Sequence, residues 1–140
     1  MANVVCTSFK SELSKGDHDF ANDTFKIALY TSSATSLADY TAYAATNEAS
    51  GTGYSAGGVV LSGNTVGTTG TTAYADFTDP EYTSVTITAR YALIYNTSAT
   101  LVTNAACFFL DFTENKTATN GTFKIVFPTP GASGLLTVTG

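Results

Sequence analysis

An all-β domain of antiparallel strands is what this chain predicts, and three observations carry that prediction. Apolar side chains recur at every second residue in several separate runs. Connections rich in Gly, Ser, Thr and Asn, the residues of turns, divide those runs. Nowhere do strand patterns alternate with helical patterns long enough for the crossovers of a parallel sheet. The 140 residues suit one domain, 1–140, with room for two layers around a core.

In chain order, residues 1–16 read as a short N-terminal helical segment. Val5, Phe9 and Leu13 fall at i, i+4 and i+8 and share a face, and Gly16 supplies the stop. From Thr24 the period changes to two: Phe25, Ile27 and Leu29 share one face of a strand over 24–30. The long run 84–96 places Val85, Ile87, Ala89, Tyr91, Leu93 and Tyr95 on one side and Thr86, Thr88 and Arg90 on the other. Residues 106–112 are apolar on both faces, as in a central strand, 122–127 alternate again until Pro128, and 135–139 form a last strand. The runs 59–62 and 73–77 are weaker.

Residues 36–58 form a long connection, in which 36–45 has the pattern of a short helix and Gly51, Gly53, Gly57 and Gly58 surround Tyr54. Residues 65–72 read as a turn or a flexible ribbon. Thr24-Phe25-Lys26-Ile27 recurs as Thr122-Phe123-Lys124-Ile125, a match that suits first and last strands lying side by side. About eight strands joined in this way describe an antiparallel β-sandwich or a barrel. The expected core is two facing sheets contributing Phe25, Ile27, Leu29, Val85, Ile87, Leu93, Phe108, Leu110, Phe123, Ile125 and Phe127. Each such side chain contributes about 1.5–3 kcal/mol when fully buried.

Hydrophobic residues make up 44% of the chain and charged residues only 12%, about half the usual share. Thr, Ser, Ala and Gly stand where charges normally do, which suits a protein held against other protein. The net charge is −5 and the six Lys and Arg residues are scattered, so nucleic acid and anionic membrane are excluded as partners. No apolar run approaches the length of a membrane span, and 1–16 lacks the apolar centre of a secretory signal.

The search for chemistry assigns no catalytic, cofactor-binding or metal-binding residue. His18, the one histidine, follows a helix stop in Gly16-Asp17-His18-Asp19 with no nucleophile motif near it, and is expected as a solvated loop histidine. Asp76, Asp79, Glu81, Asp111 and Glu114 are the carboxylates a glycosidase pair would draw on, but Asp79-Pro80-Glu81 reads as the turn entering the long strand. Asp17, Asp19 and Asp23 carry calcium-type oxygens without the spacing of an EF-hand loop. Gly51 to Gly58 lacks the lysine of a phosphate-binding loop. Cys6 and Cys107 match no zinc spacing and are expected as free buried thiols.

The run Phe9-Lys10-Ser11-Glu12-Leu13 with Lys15-Gly16, then Thr24 to Tyr30, Gly53 to Gly58, Ile87 to Asn96 and Asn120 to Phe123, resembles small virion proteins of tailed phages. Within that group the chain is similar to the head cement, or decoration, proteins of short-tailed phages, and the similarity extends in order over most of the chain. The resemblance implies a jelly-roll-like sandwich and a structural protein without enzymatic activity. Such a protein is made in the bacterial cytoplasm, sits on the outer capsid surface and clamps neighbouring major capsid protein subunits. It also implies a homo-oligomer on the shell, a dimer in preference to a trimer. The acidic charge agrees with the outer face, because packaged DNA repels an acidic protein. An alternative is a glycan- or receptor-binding module of a phage tail or fibre, with Tyr40, Tyr43 and Tyr54 exposed to stack on sugars. For a cement protein the segments with spare length are 1–16 and 36–58, so the partner interface is expected at Phe9, Leu13, Tyr40, Tyr43 and Tyr54.

Overall fold

The computed structural model describes residues 2–131 and 133–139, and the chain in it is all-β and antiparallel. Its elements are β1 (Ala2–Val5), α1 (Thr7–Ser14), β2 (Phe25–Tyr30), β3 (Val59–Val60), β4 (Thr65–Thr69), β5 (Thr72–Asp76), β6 (Glu81–Asn96), β7 (Ala105–Lys124) and β8 (Leu136–Thr139). Five strands form one sheet in the order β1-β7-β6-β2-β3, and three form a second in the order β4-β5-β8.

The long hairpin of β6 and β7 is the axis of the larger sheet. Its ladder runs from Asn96 opposite Ala105 at the closed end to Glu81 opposite Lys124 at the far end. Around the closed end Ala92 to Asn96 and Ala105 to Leu110 are buried on both faces, as the unbroken apolar run of a covered strand requires. Every residue expected in the core is buried, and Tyr30, Ile94 and Phe109 join them with no more than 1% exposure. The smaller sheet meets the larger through aromatics: Phe20 stacks on Phe25 with centroids 4.5 Å apart, and Phe77, just after β5, lies 5.5 Å from Phe25.

Several elements depart from the sequence expectation, each for a local reason. The N-terminal helix is shorter, because Ala2–Val5 pairs with Phe108–Asp111 of β7 and an extended Cys6 turns the chain into α1. Val5 therefore lies in a strand and shares no helical face with Phe9. The 122–127 run is no separate strand, since β7 continues unbroken from Ala105 to Lys124. It does so by bulging: one residue separates Ala89 from Tyr91 on β6, whereas four separate Asp111 from Lys116 on β7. Residues 65–69, read as turn, form β4, while 36–45 contain only a single 3-10 turn at Leu37–Asp39. The two Thr-Phe-Lys-Ile copies do not pair, because β2 lies between β6 and β3.

The connection 31–58 is laid along strand edges. Glu48 bridges Tyr30, Ala42 bridges Ala105, and Thr52 bridges Thr86. The backbone approach is close enough that Gly58, at φ +78, would drive a Cβ into the Ile27 carbonyl. Gly70, at φ +59 in the β4–β5 turn, has open space around it. Replacing Gly58 with alanine combines strain with overlap and is expected to cost about 2–4 kcal/mol, against about 1 kcal/mol for Gly70→Ala. Chemical denaturation of the two variants measures the difference, and equal losses would mean that the connection is not seated on β2.

Candidate functional site

The structure turns most of the expected interface inward. Leu13 is 38% exposed, but Phe9 is 1% exposed and packs within 4.8 Å of the His18 ring. Tyr40, Tyr43 and Tyr54 are half-buried against the core, which corrects the expectation of fully exposed rings. Tyr40 meets Phe109 edge to face at 4.9 Å, and Tyr43 stacks on Tyr95 at 5.0 Å.

Their hydroxyls explain the inward turn. The Glu48 carboxylate accepts from the Tyr43 hydroxyl, from the Tyr54 hydroxyl at 2.7 Å and from the Gly57 N–H at 2.7 Å. Tyr54 Oη also accepts the Leu29 N–H at 2.9 Å, and Tyr95 donates to the Gly57 carbonyl at 2.6 Å. Tyr30 donates to the Ala44 carbonyl at 2.6 Å. One carboxylate and a set of phenols thus tie 43–57 onto β2 and β6. Burial, with Glu48 adding to it, holds Tyr54 and Tyr43 well above the ordinary phenol range and pushes Tyr95 up to about 12.

His18 is not a solvated loop residue. Its side chain is fully buried, with Nε2 2.9 Å from Glu12 Oε1. Asn96 Oδ1 accepts the Ser98 N–H at 2.8 Å, which points Nδ2 toward His18 Nδ1 at 3.0 Å and Asp23 Oδ2 at 2.8 Å. Nδ1 is therefore the acceptor and Nε2 the donor to Glu12, an assignment fixed by the network. Cys107 Sγ lies 3.9 Å from Nδ1, so thiol, imidazole and carboxylate stand in the order of a nucleophile, its base and an orienting acid. Two features disarm the arrangement. The Nδ1 lone pair that would take the thiol proton is engaged by Asn96, and burial holds the Cys107 thiol well above its ordinary value. Cys6 is likewise free and buried, its thiol pushed up to about 12 by burial and then by Glu12. The cluster clamps α1 and the 17–23 loop to the β6–β7 hairpin.

Most of the remaining carboxylates also have partners. Asp17 accepts from the Thr100 N–H and hydroxyl at 3.0 and 2.8 Å and from the Leu101 N–H at 3.1 Å, and these bonds hold its pKa below the ordinary value. Asp19 caps Ala21 and Asn22 in the same way. Among the described residues no three His, Cys, Asp or Glu side chains stand close enough to hold a metal ion. Asp111 pairs with Arg90 at 2.8 Å, Glu114 with Lys116 at 2.6 Å and Glu81 with Lys124 at 3.6 Å, while Asp79 accepts the Phe127 N–H at 2.9 Å. Asp76 stands apart: burial raises its pKa, and its Oδ1 is buried without a hydrogen-bond partner.

What the sequence did not single out is an apolar groove of about 360 Å³ between the helix end and the smaller sheet. Leu13, Phe20, Val66, Ala73, Leu136 and Val138 line it, and Val66 and Val138 are 53% and 62% exposed. The strand register explains its character. Val66 opposes Ala75, which opposes Leu136, and Ala73 opposes Val138, so one face of β4-β5-β8 is apolar but for Thr68, which opposes Ala73. No helix among the described residues is long and apolar enough to cross a membrane. No family model matches the chain, and neither a curated protein nor a solved structure matches it.

Two outcomes are expected from these clamps. His18→Ala leaves Glu12 and Asn96 without their shared partner and should destabilise the fold by about 3 kcal/mol in denaturant unfolding; an unchanged midpoint would show that the cluster holds nothing. The tyrosine pKa values give a pH dependence. Tyr95 is raised from 10.0 to about 12, so its contribution is whole below pH 10 and is lost as the pH climbs toward 12. Melting temperature should fall steeply across that window, with phenol ionisation, followed by ultraviolet absorbance, delayed until unfolding. Tyrosines titrating normally in a still-folded protein would contradict the burial described.

Proposed function

We propose that this protein is a structural virion component that binds the outside of a phage capsid and cements neighbouring major capsid protein subunits. The observation that carries the reading is the exposed apolar groove at Leu13, Phe20, Val66 and Val138, a surface suited to another protein. A chain with only 12% charged residues that also leaves valines in the open is suited to permanent contact more than to free diffusion. The resemblance of its Phe9–Leu13, Gly53–Gly58 and Ile87–Asn96 runs to cement proteins points the same way, and the net charge of −5 favours the outer face over the DNA-filled interior.

In this reading the two sheets are the layers of a jelly-roll-like sandwich, with Phe20, Phe25 and Phe77 between them. The protein works as a dimer on the shell and carries out no reaction. Of the residues first assigned to the interface, Leu13 keeps that role, and it is joined by Val66 and Val138.

Staining a gel of purified particles is the decisive measurement. A cement protein is present at a copy number comparable to that of the major capsid protein, whereas a protein present in only a few copies belongs to a tail tip, and the proposal then fails. Leu13→Asp with Val138→Asp should lower occupancy on particles several-fold while the free protein keeps its melting temperature.

A further inference from the structure

β4 is the outermost strand of the smaller sheet, hydrogen-bonded to β5 alone among the described residues. Four of its five residues are exposed, and its register with β5 runs without a bulge. The devices that keep an edge from pairing are missing. β4 reads Thr-Val-Gly-Thr-Thr, with neither lysine nor proline, and Asp76 is the one charged residue in β4, β5 and β8. An open edge is a row of backbone donors and acceptors, and the group that satisfies such a row is another extended chain.

The turn decides which backbone groups are open. Gly70 and Thr71 form a two-residue connection, so Thr69 and Thr72 are a hydrogen-bonded pair. Alternation from there turns Gly67 toward Tyr74 and leaves the N–H and C=O of Val66 and Thr68 pointing off the edge. The strand is therefore complementary to itself about Gly67. A copy laid antiparallel, Gly67 against Gly67, sets each Val66 opposite a Thr68 and pairs the open groups of both. The Tyr74 ring lies over Gly67, its Oη 2.6 Å from where a Cβ would stand, so glycine at the axis leaves room for the two rings to meet.

Charge selects the same occupant. The chain carries a net −5, and two acidic copies meet most easily through a surface without charge. Asp76 opposes Thr65 at one end of β4, so in the pair the two Asp76 carboxylates stand at opposite ends, ~20 Å apart by strand spacing and beyond a screening length of about 8 Å. Asn64 donates to the carbonyls of Phe20 and Asp23 at 3.1 and 3.0 Å, which ties the rest of each copy to that same end. The two bodies thus also lie at opposite ends of the joint.

We infer that β4 is the joint between two copies of this chain, paired antiparallel about Gly67 into one continuous sheet. The two-fold axis is normal to that sheet, so both apolar grooves open on the same side. The inference deepens the cement reading, whose dimer it builds. It rests on that reading for the two capsid subunits that the grooves take, and not for the joint itself.

The test follows the purified full chain by sedimentation and amide exchange. Rising concentration should turn monomer into dimer and slow exchange at Val66 and Thr68, while Gly67, bonded within its own hairpin, is protected throughout. Thr68→Pro removes an outward N–H without breaking the β4–β5 ladder and should weaken dimerisation about tenfold at an unchanged melting temperature. Thr68→Lys brings two like charges to the joint and should act the same way, which keeps the test open if the proline variant does not fold. A chain that stays monomeric at every concentration, a dimer that protects β8 or β1 in place of β4, or a dimer indifferent to both substitutions would overturn the assignment. So would assemblies larger than a dimer, because β4 would then be pairing with the other edge, β8, of the next copy. A low copy number on particles alongside a β4 dimer would overturn the cement reading and leave the joint standing, and a monomer at high copy number would do the reverse.

Discussion

The antiparallel ladder between β6 and β7 is the constraint on which the rest of the molecule depends. β1 and β2 are each hydrogen-bonded to one member of the pair, and the connection 31–58 bridges both, at Thr86 and at Ala105. Because side chains alternate, slipping this ladder by one residue would turn Ile87 and Ala89 toward solvent and exchange the two buried faces at Leu93 and Phe109. Register is further pinned at the closed end, where Asp17 holds the amides of Thr100 and Leu101 in the 97–104 loop. Bulges absorb the difference in length between the two strands: the largest, over 112–115, lies away from that end, and a smaller one at Cys107 falls within the doubly buried segment.

Polar side chains in this protein are engaged in fastening. Glu48 gathers Tyr43, Tyr54 and Gly57, Asn96 links His18, Asp23 and Ser98, and Asp17 fixes a loop 83 residues away in sequence. Asn96 joins the 17–23 loop to β6, Glu48 gathers the connection that the Tyr54 hydroxyl ties to Leu29 of β2, and Asp17 joins one loop to another. The rings of Phe20, Tyr43 and Tyr54 pack these segments on the core, and hydrogen bonds fix their backbone there. That arrangement accounts for the many aromatic hydroxyls close to the core: a tyrosine buries a ring and still reaches a backbone group.

How much of this was legible in the sequence depends on the range of the signal. The strand at 25–30, the 84–96 stretch of β6 and the whole expected core could be read, because period-two alternation is a local property of the residues that carry it. β1 could not: Ala2-Asn3-Val4-Val5 is too short to show a period, and only its distant partner Phe108–Asp111 makes it a strand. β4, Thr65-Val66-Gly67-Thr68-Thr69, looked like turn because Gly67 weakens the pattern, yet the Tyr74 ring covers that glycine from the paired strand. The candidate site misled for the same reason. Nothing next to His18 in the chain reveals that Asn96 and Cys107 will enclose it, and nothing near Tyr54 announces that its hydroxyl will meet Leu29. The apolar groove was out of reach because it is assembled from α1, the loop that carries Phe20, β4, β5 and β8, each contributing only a few side chains.

The pairing of Ala2–Val5 with Phe108–Asp111 sets an order of events during synthesis. β1 leaves the ribosome long before its partner in β7 is made, and α1, which follows it, also rests on β7. The hairpin of β6 and β7 is local and can close first, with β2 already waiting to join it. Contacts of such long sequence separation make folding slow. Until they form, the growing chain carries an uncovered β2 and an N-terminal segment that cannot dock, which is the stage at which neighbouring nascent chains can join the wrong edges. Translation from the N-terminus therefore makes β1 and α1 wait for β7, as β5 waits for β8.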